Sequence, residues 1–176
     1  MKAFNYCPQC GCEGLDWSED KRLTCHHCGF TYFHNMAAAV GAVLLHGDEI
    51  LLTVRKHDPA RDMLDLPGGF VDRHESLEQA LTRELTEELK VVVGESEWRY
   101  LFSFPNRYPY AGISYYTSDV FFLKKMETRP EIVVGDDVAD AVWVRIADVE
   151  LESVGLDSVR SALCELKKIN IPGIIV

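Results

Sequence analysis

Three glutamates, Glu84, Glu87 and Glu88, fall within a segment that reads as helix. At about 100° per residue, Glu84 and Glu88 share one helical line and Glu87 stands beside it. The apolar row Leu77, Leu81, Leu85, Leu89 lies close to that line. A purely solvated acidic face, the other reading of such a helix taken alone, would sit opposite the row. At least two carboxylates are therefore pushed toward the domain, and like charges at i and i+4 repel even in an exposed helix. A hard divalent cation with oxygen ligands, Mg2+ or Mn2+, relieves that repulsion and keeps positions open for water and phosphate. The preceding loop, Leu66-Pro67-Gly68-Gly69, favours this reading. Its glycines let the backbone approach a ligand and leave room for a diphosphate.

A second set of residues suggests different chemistry. Cys7-Pro8-Gln9-Cys10-Gly11 and Cys25-His26-His27-Cys28-Gly29 are two CxxC-Gly knuckles. Two such pairs supply the tetrahedral thiolate shell that Zn2+ prefers, with no open position for catalysis. Iron in a rubredoxin-like site and a redox-active dithiol pair are the alternatives. Cys12, His26 and His27 stand nearby as bystanders or substitute ligands, and Cys164 falls on the apolar pattern of the last helix. Residues 1–35 hold Lys2, Lys21 and Arg22 against Glu13, Asp16, Glu19 and Asp20, so no basic face emerges for nucleic acid. A module this small draws its stability from the metal. It is also a candidate dimer interface.

These residues need elements to hold them. Ala37–His46 reads as a buried strand and Glu49–Arg55 as its hairpin partner across Gly47-Asp48. Asp65–Phe70 reads as a turn-rich loop. A helix is expected from Ser76 to Lys90, opened by a Ser76/Gln79 capping box. Further strands are expected at 91–94, 98–104, 114–124 and 141–146. A last helix over Ser158–Ile169 would be ended by Asn170 and Pro172. The fold class is α/β, with a zinc ribbon at 1–35 and a second domain at 36–176.

The run from Gly69 to Val91 resembles the Nudix box, G-x5-E-x7-R-E-U-x-E-E-x-G-U with U apolar. It departs at one defining position: Lys90 stands where the family has glycine, so the helix exit is expected to take another route. The resemblance implies the Nudix fold, a mixed β-sheet sandwiched between helices. It also implies a hydrolase acting on phosphoanhydride bonds. Glu84, Glu87 and Glu88 would be its metal ligands, with a carboxylate near the metals as base. Glu75 and Arg83 would pair to orient the helix. Relatives often carry an acidic motif before a strand that matches Ala141-Val142-Trp143-Val144, and this alignment offers Asp137 as a remote ligand or base. The shorter aspartate leaves its reach open, and a surface acid is the alternative.

For the substrate, Gly68 and Gly69 would receive the diphosphate, and Arg107 and Tyr108 are the pocket candidates after the box. Phe121, Phe122 and Tyr116 read as strand core. A ribbon before a Nudix domain is similar to the NAD(H) pyrophosphatase arrangement. The motif S-Q-P-W-P-F-P-x-S of those enzymes survives only as an echo in Ser103-x-Pro105 and Tyr108-Pro109. A nucleoside diphosphate linked to another moiety, of the ADP-ribose or NADH type, is the preferred substrate. A nucleoside triphosphate pyrophosphohydrolase and a non-catalytic ligand sensor are the alternatives.

The 176 residues are 47% hydrophobic and 26% charged, with a formal net charge of −10. This composition is globular, and its acidity argues against a non-specific nucleic-acid binder. No apolar run approaches the roughly 20 residues that span a bilayer. Met1–Tyr6 enters the cysteine motif without an apolar leader, so a cytoplasmic protein is expected.

Overall fold

The long apolar run Ala37–His46 forms β4, and Glu49–Arg55 returns beside it as β5. Together they organise the larger sheet. Their pairing is antiparallel but brief, limited to Leu45↔Ile50 and His46↔Glu49 next to the two-residue turn. Beyond that point the strands part. Leu64–Asp65 (β6) pairs with β5, and Gly68–Phe70 (β7) pairs with β4. The segment expected as a turn-rich loop is thus two short strands about Pro67, each finishing one side of the gap. The computed structural model describes residues 4–19, 21–135 and 137–169.

Three more strands complete this mixed sheet: Arg99–Tyr110 (β8), Ile113–Lys125 (β9) and Val138–Arg145 (β10). The order is β10-β5-β4-β9-β8, with β4 and β9 parallel. Side chains alternate across β4. Ala42 and Leu44 join Ala80, Leu81, Leu85 and Leu89 of α1 (Leu77–Leu89). Val43 and Leu45 join Val159, Ala162, Leu163 and Leu166 of α2 (Asp157–Lys168) on the other side. The sheet lies between two helices, as the period-2 strand pattern and the 3.6-residue helix pattern require. Leu15–Ser18 (β1), Arg22–Cys25 (β2) and Thr31–Phe33 (β3) form a separate three-stranded sheet around the cysteines. Among the described residues no helix is long and apolar enough to cross a membrane.

The expected helix at 76–90 stands as α1 with Ser76 as N-cap. Gln79 N–H donates to Ser76 Oγ, and Ser76 N–H donates to Gln79 Oε1. The exit differs from expectation. Lys90 adopts the left-handed conformation itself, at φ +57°, and its N–H donates to Thr86 O. The helix leaves by the ordinary glycine-like cap, with a lysine bearing the strain. The Lys90 ammonium also donates to Glu87 O, 3.3 Å away.

Three strand assignments change. Residues 91–94 form no strand. Val91 and Val93 alternate inward as β residues do, but they have no strand partner and instead close the apolar cluster of α1. The strand expected over 98–104 runs on to Tyr110, where Ala111 and Gly112, both at positive φ, turn it into β9. The extension carries Pro105 and Pro109. They are tolerated because β8 is the edge of the sheet, where a missing N–H removes no ladder bond. The strand expected over 141–146 begins earlier, at Val138. The proposed helix terminators Asn170 and Pro172 lie outside the described residues.

Lys90→Gly should raise the unfolding free energy by about 1 kcal/mol, because glycine occupies the left-handed region without the Cβ clash. Denaturant unfolding of the two proteins measures it, and an equal or lower midpoint for the glycine variant would refute the strained-cap account.

Candidate active site

Past Leu45 and Ile50 the split sheet opens into a cleft of about 470 Å³. Glu84 and Glu88 line it from α1, Gly68 and Gly69 from β7, Arg55 from β5, Asn106 and Tyr108 from β8, and Asp137 from the position just before β10. The glycines fit because nothing larger can. A Cβ on Gly68, which sits at φ +145°, would lie 2.1 Å from Val40 O. A Cβ on Gly69 would lie 2.5 Å from Glu84 Oε1. Gly68 therefore lets β7 close on β4, and Gly69 lets the carboxylate helix close on β7.

Glu88 is the most enclosed of the helix acids. Burial pushes its carboxyl up to about 8, opposed by the Gly68 N–H and reinforced by Glu84, Asp65 and Asp137. Gly68 N–H donates to Glu88 Oε2 at 3.0 Å. The Glu84 side chain is 16% exposed, and burial raises its carboxyl too, against the pull of Arg83. Two carboxyls driven toward the neutral form in one cleft are a poor resting arrangement for the chain alone. A divalent cation would hold both ionised.

Glu87 is placed differently. Its side chain is 62% exposed, lies outside the cleft lining and pairs with Arg83 at 3.1 Å. The three helix glutamates are not among the clusters whose ligand atoms lie within 4.8 Å of one another. Arg83 is the brace of the helix. It contacts Glu75 at 2.8 and 3.1 Å, Glu84 at 3.0 Å and Phe70 O at 3.1 Å. The pairing with Glu75, expected from the box, is present and holds the Glu75 carboxyl below its ordinary range.

Asp137 reaches the cleft because the chain before it crosses the end of α1. Val133 N–H donates to Leu89 O, and Gly135 N–H donates to Glu88 O at 2.6 Å. A Cβ on Gly135 would lie 2.3 Å from Glu87 O, so this close crossing needs glycine. Asp137 itself is exposed, with His57 Nε2 3.8 Å away.

The two expected pocket residues separate. Tyr108 lines the cleft, its ring edge-on to Phe70 at 5.5 Å. Arg107 is next in a strand, so it points to the opposite face, where it donates to Ser114 Oγ. It does not enter the cleft. Arg55 does, beside Lys56 and Arg83. It pairs with Asp65 at 2.5 Å and donates to Tyr108 Oη and Pro59 O. Burial pushes the Asp65 carboxyl up, and the Arg55 guanidinium opposes it. The sequence offered no motif for this pair. Its only trace was a charge at each end of two segments that the hairpin brings together. Phe121 and Phe122 are buried as expected, but Tyr116 is exposed and Cys164 only partly buried.

In the small sheet, Cys7, Cys10, Cys25 and Cys28 converge, with all four sulfurs within 4.8 Å. Cys7–Cys28 and Cys10–Cys25 are each 3.7 Å apart. Four sulfurs about 2.3 Å from one ion stand about 3.8 Å from each other, so the donor set fits a tetrahedral divalent ion. Each knuckle is tied by a backbone bond, Gly11 N–H to Cys7 O and Gly29 N–H to Cys25 O. The Cys28 N–H, turned toward Cys25, is the largest influence lowering that thiol to about 6, while, against the Phe30 N–H, burial and the neighbouring sulfurs push the Cys28 thiol up to about 12. Cys12 and His27 form a second group with Cys10, while His26 belongs to neither.

Comparison with known proteins adds family context. The NUDIX domain family model matches residues 35–162. The chain is 32% identical over 111 residues to the NAD-capped RNA hydrolase NudC of Pectobacterium carotovorum, covering 62% of this chain and 41% of that one. It is 34% identical over 110 residues to the ADP-ribose pyrophosphatase of Methanocaldococcus jannaschii, covering 62% of each. The chain spans about half the length of the NudC relatives it matches. A NUDIX hydrolase structure from Nitrosomonas europaea aligns with a TM-score of 0.67 at 22% identity, over 91% of this chain and 88% of that one. The NUDIX domain of Shewanella oneidensis NrtR, complexed with ADP ribose, aligns with a TM-score of 0.62 at 27% identity, over 78% and 91%.

The Glu88 shift fixes a pH dependence. A carboxyl raised in the folded protein binds more protons there than in the unfolded chain, so stability falls as pH rises from about 4.5 to about 8. With divalent ions chelated, Glu88→Gln should melt above wild type at pH 8, and the gap should close toward pH 4.5. A gap that does not vary with pH would show that Glu88 is not held protonated.

Proposed function

The chain belongs to the Nudix family, and from that premise we propose that it is a divalent-metal-dependent pyrophosphohydrolase of nucleoside diphosphates linked to a second moiety, with ADP-ribose and NADH types preferred. The observation that carries this reading is the half-buried Glu84–Glu88 pair lining one cleft and packed against Gly68 and Gly69. A diphosphate needs that combination: an acidic seat for cations and a backbone without side chains to receive its oxygens. Relatives named ADP-ribose pyrophosphatase and NAD-capped RNA hydrolase support the substrate type. Long RNA is the less favoured partner, since the chain is acidic and its ribbon lacks a basic face.

Mg2+ or Mn2+ would be held by Glu84 and Glu88, joined by Glu87 when it leaves Arg83. Bound there, the ion neutralises diphosphate charge and acidifies water. The chain's residues would do the rest. Arg83 and Glu75 fix the helix so that both carboxylates stay in the cleft. Tyr108 and Phe70 flank the substrate's organic part. Asp137, exposed at the cleft beside His57, is available to take a proton from the attacking water. Zn2+ would occupy the four cysteines as a structural ion, and the division into a ribbon at 1–35 and a catalytic domain from 36 follows from that role. The ribbon is also the surface on which we place a homodimer contact.

A panel of ADP-ribose, NADH, dinucleotide polyphosphates and nucleoside triphosphates, with Mg2+ and product analysis, tests the reading. ADP-ribose or NADH should yield a nucleoside monophosphate, and Glu84→Gln and Glu88→Gln should each lower kcat by at least about 100-fold. Unchanged rates in both variants would remove the assigned chemistry, and tight binding without turnover would favour a sensor. Metal analysis should return one zinc per chain, lost in Cys25→Ser. If the ribbon makes a dimer, the zinc-depleted protein should show half the solution mass of the loaded one.

A further inference from the structure

At the inner end of the same cleft lies a polar group that the diphosphate chemistry does not use. Asn106, Thr117 and Asp119 all line it and are all buried. Strand register explains their company. Asn106 of β8 is paired directly with Thr117 of β9, and Asp119 follows two residues on, so all three share one face of the sheet. Phe121, two residues further, belongs to the apolar cluster of α2 on that face. Leu66, Phe121, Leu156 and Val159 also line the cleft. The three polar side chains therefore border an apolar wall on one side, with Asp65 near enough for its carboxyl to feel Asp119.

Their hydrogen bonding is incomplete. Asp119 Oδ2 accepts from the Ser158 hydroxyl at 2.5 Å, which fixes the carboxylate against α2. Asp119 Oδ1 and Thr117 Oγ1 have no partner, although both atoms are withdrawn from solvent. An unpaired buried acceptor is destabilising, and a position serving packing alone would carry valine or leucine without that cost. Ser158 completes one half of the carboxylate and leaves the other half vacant. Such half-completed polar groups, held rigid in an apolar wall, are a means of recognising a hydrogen-bonding ligand.

We propose that Asp119 and Thr117 form the base-reading end of the cleft, with Asp119 Oδ1 accepting a hydrogen bond from the exocyclic amino group of a nucleobase such as adenine or cytosine. This rests on the nucleotide reading above, which puts the diphosphate at Gly68, Gly69 and the helix glutamates. The nucleoside then has the remainder of the cleft. Its mouth has the aromatic pair Phe70 and Tyr108, suited to a flat ring, and its inner end has an acceptor in need of a donor. The inner end must open slightly to seat the base, because the two oxygens are closed off from solvent. Discrimination follows directly. A base carrying a carbonyl where the amino group should be would set two acceptors face to face.

The test uses product nucleotides, so it does not depend on whether the chain cuts a diphosphate. Binding of AMP against IMP, and of CMP against UMP, is measured by calorimetry on the full chain with Mg2+ present. At least one amino-bearing member should bind about tenfold or more tightly than its keto counterpart, the range expected for a hydrogen bond to a charged acceptor. Asp119→Asn should reduce that ratio by about tenfold or invert it, since an amide can donate to the keto group. Thr117→Val, nearly isosteric, should weaken the amino-bearing nucleotide while raising the melting temperature of the free protein. It keeps the test available if Asp119→Asn does not fold. Equal binding of amino and keto members, no binding of any of the four, or an unchanged ratio in Thr117→Val would each overturn the assignment. Hydrolysis of the panel with no base discrimination would leave the pyrophosphohydrolase standing and remove only the base reading. Discrimination without hydrolysis would do the reverse.

Discussion

Two carboxylates on adjacent turns of one helix, both turned inward, are the constraint around which the rest is arranged. Glu84 and Glu88 repel each other, and burial penalises the charge of each. The surrounding structure mitigates this without abolishing it. Arg83 stands at 3.0 Å from Glu84, and Gly68 N–H caps one oxygen of Glu88. Neither provision neutralises the pair, because Arg83 is shared with Glu75, Glu87 and Phe70 O. The helix is braced firmly from one side and left short of positive charge on the other. That asymmetry separates a cation seat from an ordinary buried salt-bridge network, in which partners complete each other.

The sheet has to be incomplete for this to work. A continuous β4–β5 ladder would fill the space that the cleft occupies. Instead the two strands pair only beside their turn, and the sequence supplies β6 and β7 to satisfy the freed backbone on each side. Ala42 N–H, at the point of divergence, donates to Pro67 O. Backbone groups are thereby satisfied around an opening that runs from the α1 side toward the α2 side. The result is one cleft that can receive a long ligand, with carboxylates toward one end and Asn106, Thr117 and Asp119 toward the other.

Features encoded locally were legible in the sequence. The capping box at Ser76, the apolar row of α1, the β4–β5 turn and the two cysteine knuckles depend on neighbours within a few residues. Features that depend on partners far along the chain were not. Val91 and Val93 have a strand's alternation but no adjacent strand. Pro105 and Pro109 suggest a break unless β8 is known to be an edge. Arg107 and Tyr108 are neighbours in sequence, and only the pleat decides which of them faces the cleft. Arg55 and Asp65 gained their meaning only when the strands parted. Lys90 shows a further limit. The box position calls for glycine because of a conformation, and the chain keeps the conformation while changing the residue.

Charge accounts for the order in which a ligand must be assembled. The cleft collects Asp58, Asp65, Asp72, Glu84, Glu88, Asp119 and Asp137 against Arg55, Lys56 and Arg83, and both arginines already hold carboxylates. A diphosphate approaching that lining alone meets repulsion with no free guanidinium among these two to offset it. Cations and diphosphate together remove the conflict, each making the other's place tenable. The acidity of the whole chain, −10 with the cations uncounted, is then consistent with phosphate chemistry. An anion-binding protein built on arginine would be basic and would bind phosphate without selecting for the metal. This chain commits both cleft arginines to its own carboxylates and leaves the rest of the neutralising charge to be brought in from solution.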